Sequence, residues 1–305
     1  MIIDFHTHVF PDKIAAKTIE VLSAASQISP ASDGTAQGLS RSMQRSGISL
    51  SINLPVLTNP AQADKVNDSL LKSREQMLEM GILPFAGMHP GYENYREKLR
   101  MLASEGVKGI KLHPAYQRTD IDDPAMLRII DAASELGLIV LIHAGQDVGI
   151  PEHDYSDVPM ILRVLEEVRP AKMVLAHMGG WKNWEDVRRY IAGAPVWLDT
   201  AFSIGRIDTV GELLPEGAHP CGQWRPGPSV PEGSDPENNA RYNMAESSFV
   251  SLCRAHGTDR ILFGTDCPWA DQKAYLDAVR ALPFTDEEMS GILGRNAEKL
   301  LGLAT

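Results

Sequence analysis

IIDFHTH (residues 2–8) opens the chain with an apolar run that ends in two histidines one residue apart. Successive side chains on a strand point to opposite faces, so the pattern that hides Ile3 and Phe5 aims Asp4, His6 and His8 in one direction. Two imidazoles placed this way converge on one point.

Seven further apolar runs of similar length follow: LSINLPV (50–56), ILPFAGMHP (82–90), VKGIKLHP (107–114), LIVLIHAG (138–145), KMVLAHMGG (172–180), VWLDTAF (196–202) and RILFGTDCPW (260–269). Between them lie stretches with apolar residues at three- and four-residue spacing, as in 94–106, 124–137, 158–170 and 184–194, which predict helices. Near-continuous apolar strands alternating with helices predict an α/β fold with a helix-covered parallel sheet, and eight such units predict closure into a (β/α)8 TIM barrel. A doubly wound open sheet is the structural alternative. The whole of 1–305 is read as one barrel domain with a Pro-rich loop insertion at about 203–245, where prolines recur from Pro215 to Pro236 and exclude a long helix or central strand. In a barrel that loop follows strand 7 on the catalytic face, as a lid, a binding wall or a surface excursion without a role. A helix at about 12–25 and a second ending near Gly47 fill the first long interval. Thr285 and Glu288 have capping-box spacing at the start of a C-terminal helical segment, 285–303, expected to pack on the barrel exterior.

A net charge of −11 argues against nucleic acid or an anionic membrane as partner, leaving a small-molecule substrate. Cys221, Cys253 and Cys267 are odd in number and widely spaced, which suits free thiols in the cytoplasm better than a disulfide framework. Neither an export signal nor an apolar stretch of about 18 residues is read, so membrane insertion is not expected.

The polar residues at the strand C-termini are His6 and His8, His89, Lys111 and His113, His143, His177, Asp199 and Asp266, and six of the nine histidines fall there. In a parallel barrel those ends meet at one mouth, where barrel enzymes carry their active sites. Histidine and carboxylate donors favour zinc, with manganese or iron(II) as alternatives, at a site that keeps a position for water.

Each signal also has a structural reading. An isolated HxH can cap a barrel layer, and His89 and His113 each precede a proline and can serve only to turn the chain. His153, His219 and His256 fall in loops or helices and are read as solvated. Lys111 faces the interior two residues before His113, where a bare ammonium is costly unless it is paired or altered. It can be carbamylated and bridge two metals, bind a substrate carboxylate, or pair with Asp4 or Asp199.

HxH on the first strand, GIKLHP on the fourth, single histidines closing the fifth and sixth and FGTD-x-PW on the eighth together resemble the amidohydrolase superfamily, in its amidohydrolase-related branch. That branch also contains aminocarboxymuconate-semialdehyde decarboxylase and related acid decarboxylases. The resemblance runs from DFHTHVFPDKIA through KLHPAYQRTDIDDPAM to ILGRNAEKLLGL. It implies His6, His8, His143 and Asp266 as metal ligands, with His177 either a ligand of a second ion or the residue that orients or activates water. Asp266 is then the proton acceptor, and Lys111 occupies the strand on which two-metal members carry a carbamylated lysine. Lys111, His113 and His89 are the candidate substrate-binding residues. The Pro-rich insertion departs from the branch, and Arg206, Trp224, Arg225, Arg241 and Tyr242 are candidates there for an anionic or ring-shaped substrate.

The resulting expectation is a metal-dependent hydrolase, with one or two ions per chain, that cleaves a C–N or C–O bond of an amide, cyclic amide, lactone or ester. The alternative is a metal-dependent non-oxidative decarboxylase of an unsaturated or aromatic acid. A catalytically silent barrel is a third reading, and homodimerisation through exterior helices is plausible.

Overall fold

The computed structural model describes residues 1–210 and 242–303. The Pro-rich stretch, with Cys221, His219, Trp224, Arg225 and Arg241, lies outside the described residues.

Nine strands occur among those residues: β1 (Ile3–Thr7), β2 (Leu50–Asn53), β3 (Ile82–Pro84), β4 (Ala86–Gly87), β5 (Gly109–Leu112), β6 (Ile139–Ile142), β7 (Met173–Leu175), β8 (Trp197–Asp199) and β9 (Ile261–Leu262). Every ladder is parallel, in the orders β1-β2-β3 and β4-β5-β6-β7-β8-β9. β3 and β4 are one stave interrupted at Phe85, whose N–H still donates to the Asn53 carbonyl at 2.9 Å. The ring closes where the chain after β9 meets β1: the Phe5 N–H donates to Phe263 at 2.7 Å, Asp266 to His6 at 2.8 Å and His8 to Cys267 at 2.7 Å. Eight staves and closure give the (β/α)8 barrel and exclude the open sheet. The staves fall in the eight predicted runs but stop short of their C-terminal ends, where the polar residues splay into loops.

The helices start and stop where local chemistry dictates. Asp123, Asp157 and Asp271 accept from backbone N–H groups at N-termini, and Gly47, at φ +70°, ends Ala36–Ser46. Helices Tyr95–Ser104, Pro124–Glu135 and Val158–Glu167 match the predicted stretches. One apolar cluster joins helices to the outer strand faces; a second, including Ile3, Phe5, Ile52, Leu83, Phe85, Ile139, Leu141, Val174 and Leu262, fills the barrel.

Three expectations are corrected. Asp4 does not share a direction with His6 and His8: the β1–β2 register shifts between Asp4 and Thr7, and Asp4 turns to Thr265 and Gln272, which donate to its carboxylate at 2.6 and 2.7 Å. A bulge reassigns faces in this way, so Ile3, Phe5 and the two histidines can all serve the interior. The C-terminal segment has its capping box but breaks into Asp286–Ser290, a π-helical turn at Gly291–Arg295 and Asn296–Leu301. Ala297, Leu300 and Leu301 join the inner cluster instead of lying outside the barrel, at the end where the strands begin. His256 is buried, not solvated: its Nε2–H donates to the Val196 carbonyl at 2.9 Å and its Nδ1 accepts from the Gly193 N–H at 3.3 Å. Among the described residues no helix is long and apolar enough to cross a membrane.

Candidate metal centre

The barrel gathers His6, His8, Lys111, His113, His143, His177, Asp199 and Asp266 at one end. All but His8 and Asp266 are buried, and those two are largely so. His177 and Asp266 hold φ at +58° and +68°, left-handed conformations that non-glycine residues adopt only when surrounding structure imposes them. Asp266 is held by its N–H bond to the His6 carbonyl, and His177 by donation of its N–H to Asp199 Oδ1 at 3.0 Å.

The ring protons can be assigned from their partners. His6 Nδ1 lies 2.8 Å from Asp199 Oδ2, and His8 Nδ1 lies 2.7 Å from the Leu54 carbonyl. Both partners only accept, so each Nδ1 carries the proton and each Nε2 keeps its lone pair. Those two Nε2 atoms face Asp266 Oδ1 at 3.5 and 3.0 Å. His177 Nδ1 donates to the Ala201 carbonyl at 3.0 Å and His143 Nε2 to the Gln146 carbonyl at 3.1 Å. With both rings neutral, His177 Nε2 and His143 Nδ1 then present lone pairs to each other at 3.0 Å. His6 and His177 connect the two groups, with ring centroids 5.1 Å apart.

Burial keeps His6, His143 and His177 neutral. It drives His6 well below the usual histidine range with help from the Lys111 charge, His143 with help from His177, and His177 less far because Asp266 and Asp199 oppose it. Burial also pushes Asp266 up, but any proton carried by His6, His8 or His177 pulls it down, to about 2, so the carboxylate is the anionic member of the group. Four imidazole lone pairs and an anionic oxygen thus face one another without a proton between them, an arrangement that a divalent cation relieves. Asp199 and three backbone carbonyls fix the tautomers of these candidate ligands, as outer partners do in metal sites.

Lys111 Nζ is 3.4 Å from His6 Nε2, and burial lowers its amine to about 8 against the pull of Asp199, Asp266 and Asp147. His113 stacks on His143 with centroids 4.2 Å apart. His89 stands apart: its Nδ1 accepts from the Gly91 N–H at 3.0 Å, and no hydrogen bond among the described residues joins it to the cluster. Arg206 pairs with Asp208, and Tyr242 packs with Trp181 and Phe202, so both are engaged structurally. The sequence reading missed Asp147, whose Oδ2 lies 3.6 Å from His113 Nε2 and 3.7 Å from His143 Nε2. Its signal was a carboxylate four residues after His143, in a loop instead of at a strand end. The Leu54, Gln146 and Ala201 carbonyls have no residue signature.

The architecture is that of a barrel enzyme with a histidine and carboxylate centre at the strand C-termini. The amidohydrolase family profile matches residues 3–303, and the chain belongs to that family. No curated protein matches the sequence. Among solved structures it is similar to an uncharacterised TIM-barrel protein, Bb4693, from Bordetella bronchiseptica, at 17% identity and TM-score 0.69, covering 99% of this chain and 98% of that one. It is also similar to 2,6-dihydroxybenzoate decarboxylase from Rhizobium, at 15% identity and TM-score 0.66, with coverage of 99% and 98%. A dihydroxybenzoic acid decarboxylase from Polaromonas sp. JS666, with bound manganese and the inhibitor 2-nitroresorcinol, matches at 14% identity and TM-score 0.66, with coverage of 99% and 97%. These likenesses establish the fold.

Proposed function

We propose that the protein is a metal-dependent hydrolase that cleaves a C–N or C–O bond of a small amide, cyclic amide, lactone or ester. The observation that carries this reading is the pair of proton-free donor groups, His6–His8–Asp266 and His143–His177, with the buried Lys111 amine beside the first. They supply ligands for one ion or two; a carbamylated Lys111 would bridge a pair. Zinc fits these donors, as do manganese and iron(II). A cation held there supplies Lewis-acid polarisation of a carbonyl and acidifies water to a pKa near about 7.

The protein's own groups do the rest. Asp266, ionised at neutral pH, accepts the proton as the water oxygen bonds to the carbonyl carbon, and returns it to the departing nitrogen or oxygen. His177, its Nδ1–H fixed on the Ala201 carbonyl, aims Nε2 into the site to hold the water or steady the developing oxyanion. The buried thiols of Cys253 and Cys267 support a reducing, cytoplasmic setting.

The second reading is non-oxidative decarboxylation, favoured by a specific feature: Lys111, left unmodified, is a buried cation able to seat a substrate carboxylate. The decarboxylases among the similar structures support it. There the C–C bond breaks with its electron pair left on carbon as the carboxylate departs as CO2, and a proton taken from water by His177 Nε2 or Asp266 passes to that carbon. Lactones and amides assayed beside aromatic acids, in 18O-labelled water, separate the readings. Hydrolysis places label in the product; CO2 release without label in the organic product overturns it. Metal content of protein purified without chelator adds a second test: about two ions per chain support the bridged site, and about one leaves Lys111 free for substrate.

A further inference from the structure

His113, His143 and Asp147 bring three possible ligand atoms together, which invites a further cation site. The protons exclude it. His113 Nδ1 accepts from the Tyr116 N–H at 3.3 Å, so its proton sits on Nε2, and His143 Nε2 carries a proton for the Gln146 carbonyl. Two N–H groups therefore face Asp147 Oδ2, at 3.6 and 3.7 Å, from rings stacked within 16° of parallel.

Asp147 is itself fixed. Its Oδ1 accepts from the Gly149 N–H at 2.8 Å, its carbonyl accepts from Ile150 at 3.2 Å, and the side chain is buried in the turn after β6. The carboxylate is thus an acceptor held in place at the edge of a stack of two neutral imidazoles. If His143 moved its proton to Nδ1, the lone pair aimed at the metal centre would be lost. It would then point instead at the Gln146 carbonyl and Asp147, two acceptors.

We infer that Asp147 is a positioning residue that holds protons on Nε2 of both His113 and His143, and thereby keeps His143 Nδ1 as a free donor to the metal centre. The role rests on the metal-dependent reading above and extends it beyond the ligands themselves. Outer partners of this kind are worth about 10–100-fold in metal affinity.

The test uses full-length protein, wild type and Asp147→Asn, in two measurements. In 15N-histidine spectra of chelator-treated wild type, His143 is expected to carry its proton on Nε2; in Asp147→Asn a substantial fraction shifts to Nδ1. Zinc affinity, measured by competition with a chromophoric chelator, is expected to fall about 10–100-fold in the variant. A wild-type His143 protonated on Nδ1 overturns the inference, even if the variant fails to fold. An unchanged tautomer and zinc affinity in Asp147→Asn overturns it too, whether or not the melting temperature drops. Absence of uptake of zinc, manganese and iron(II) alike by wild type defeats the metal-dependent reading, and the tautomer measurement then decides the role of Asp147 by itself.

Discussion

His6 Nδ1 lies 2.8 Å from Asp199 Oδ2, and both side chains are buried. The other Asp199 oxygen accepts from the His177 and Ala201 N–H groups at 3.0 and 3.1 Å, so one carboxylate sets the tautomer of one candidate ligand and the backbone position of another. Asp199→Ala orphans three buried donors at about 1–3 kcal/mol each. Asp199→Asn keeps the volume but puts an N–H where His6 needs an acceptor. The expected result is a modest fall in melting temperature with a loss of about 10–100-fold in metal affinity. Competition titration with a chelator measures it, and undiminished affinity in Asp199→Asn contradicts the tautomer assignment.

Replacing His6 and His8 together by Ala removes both ring nitrogens that face Asp266 Oδ1 at 3.5 and 3.0 Å, leaving that carboxylate as the last of the three candidate ligands in its group. Metal uptake and turnover are both expected to vanish while circular dichroism stays native. Metal analysis and an activity assay on the same preparation check this. Full activity in the double variant sinks every metal-dependent reading.

Much of this was legible in sequence because strand period and strand ends are local properties. The runs at 138–145 and 172–180 state their burial in their own residues, and the polar residue closing each run marks the mouth. Asp4 was misread because the face it takes depends on a register shift between β1 and β2, set by pairing with residues far along the chain. His256 was misread because its acceptor at Val196 and donor at Gly193 come from another segment. Asp147 escaped because its role depends on two rings brought from different strands, and the tautomer-fixing carbonyls escaped because every residue has one.

Gly145 holds the loops carrying His143 and His177 against each other. At its φ of +82° a Cβ would sit 2.3 Å from the Trp181 nitrogen and 2.4 Å from its oxygen, where the two backbones exchange hydrogen bonds. Gly145→Ala adds a backbone strain of about 1–3 kcal/mol to that clash. It is expected to lower the urea midpoint and weaken metal binding together, since the loops must part. Equal stability and affinity to wild type would show that the loops can separate without disturbing either histidine.

His256 offers a pH test away from the metal centre. Burial lowers its pKa below the ordinary value of 6.5, aided by the Arg260 charge and opposed by the hydrogen bond to Val196. An imidazole whose folded pKa is depressed contributes stability that is present above the unfolded pKa and lost as pH falls through the folded value, because the unfolded chain binds the proton first. Stability should therefore decline below about pH 6.5, by up to about 1.4 kcal/mol per pH unit for each such proton. His256→Gln deletes one of them: the variant is less stable at pH 7.5, having lost a fitted ring, but its stability falls less steeply toward pH 5. The buried site histidines contribute to both proteins, so the difference between the two curves isolates His256. Urea denaturation across that range makes the comparison, and parallel curves would mean that His256 is protonated in the folded chain as readily as in the unfolded one.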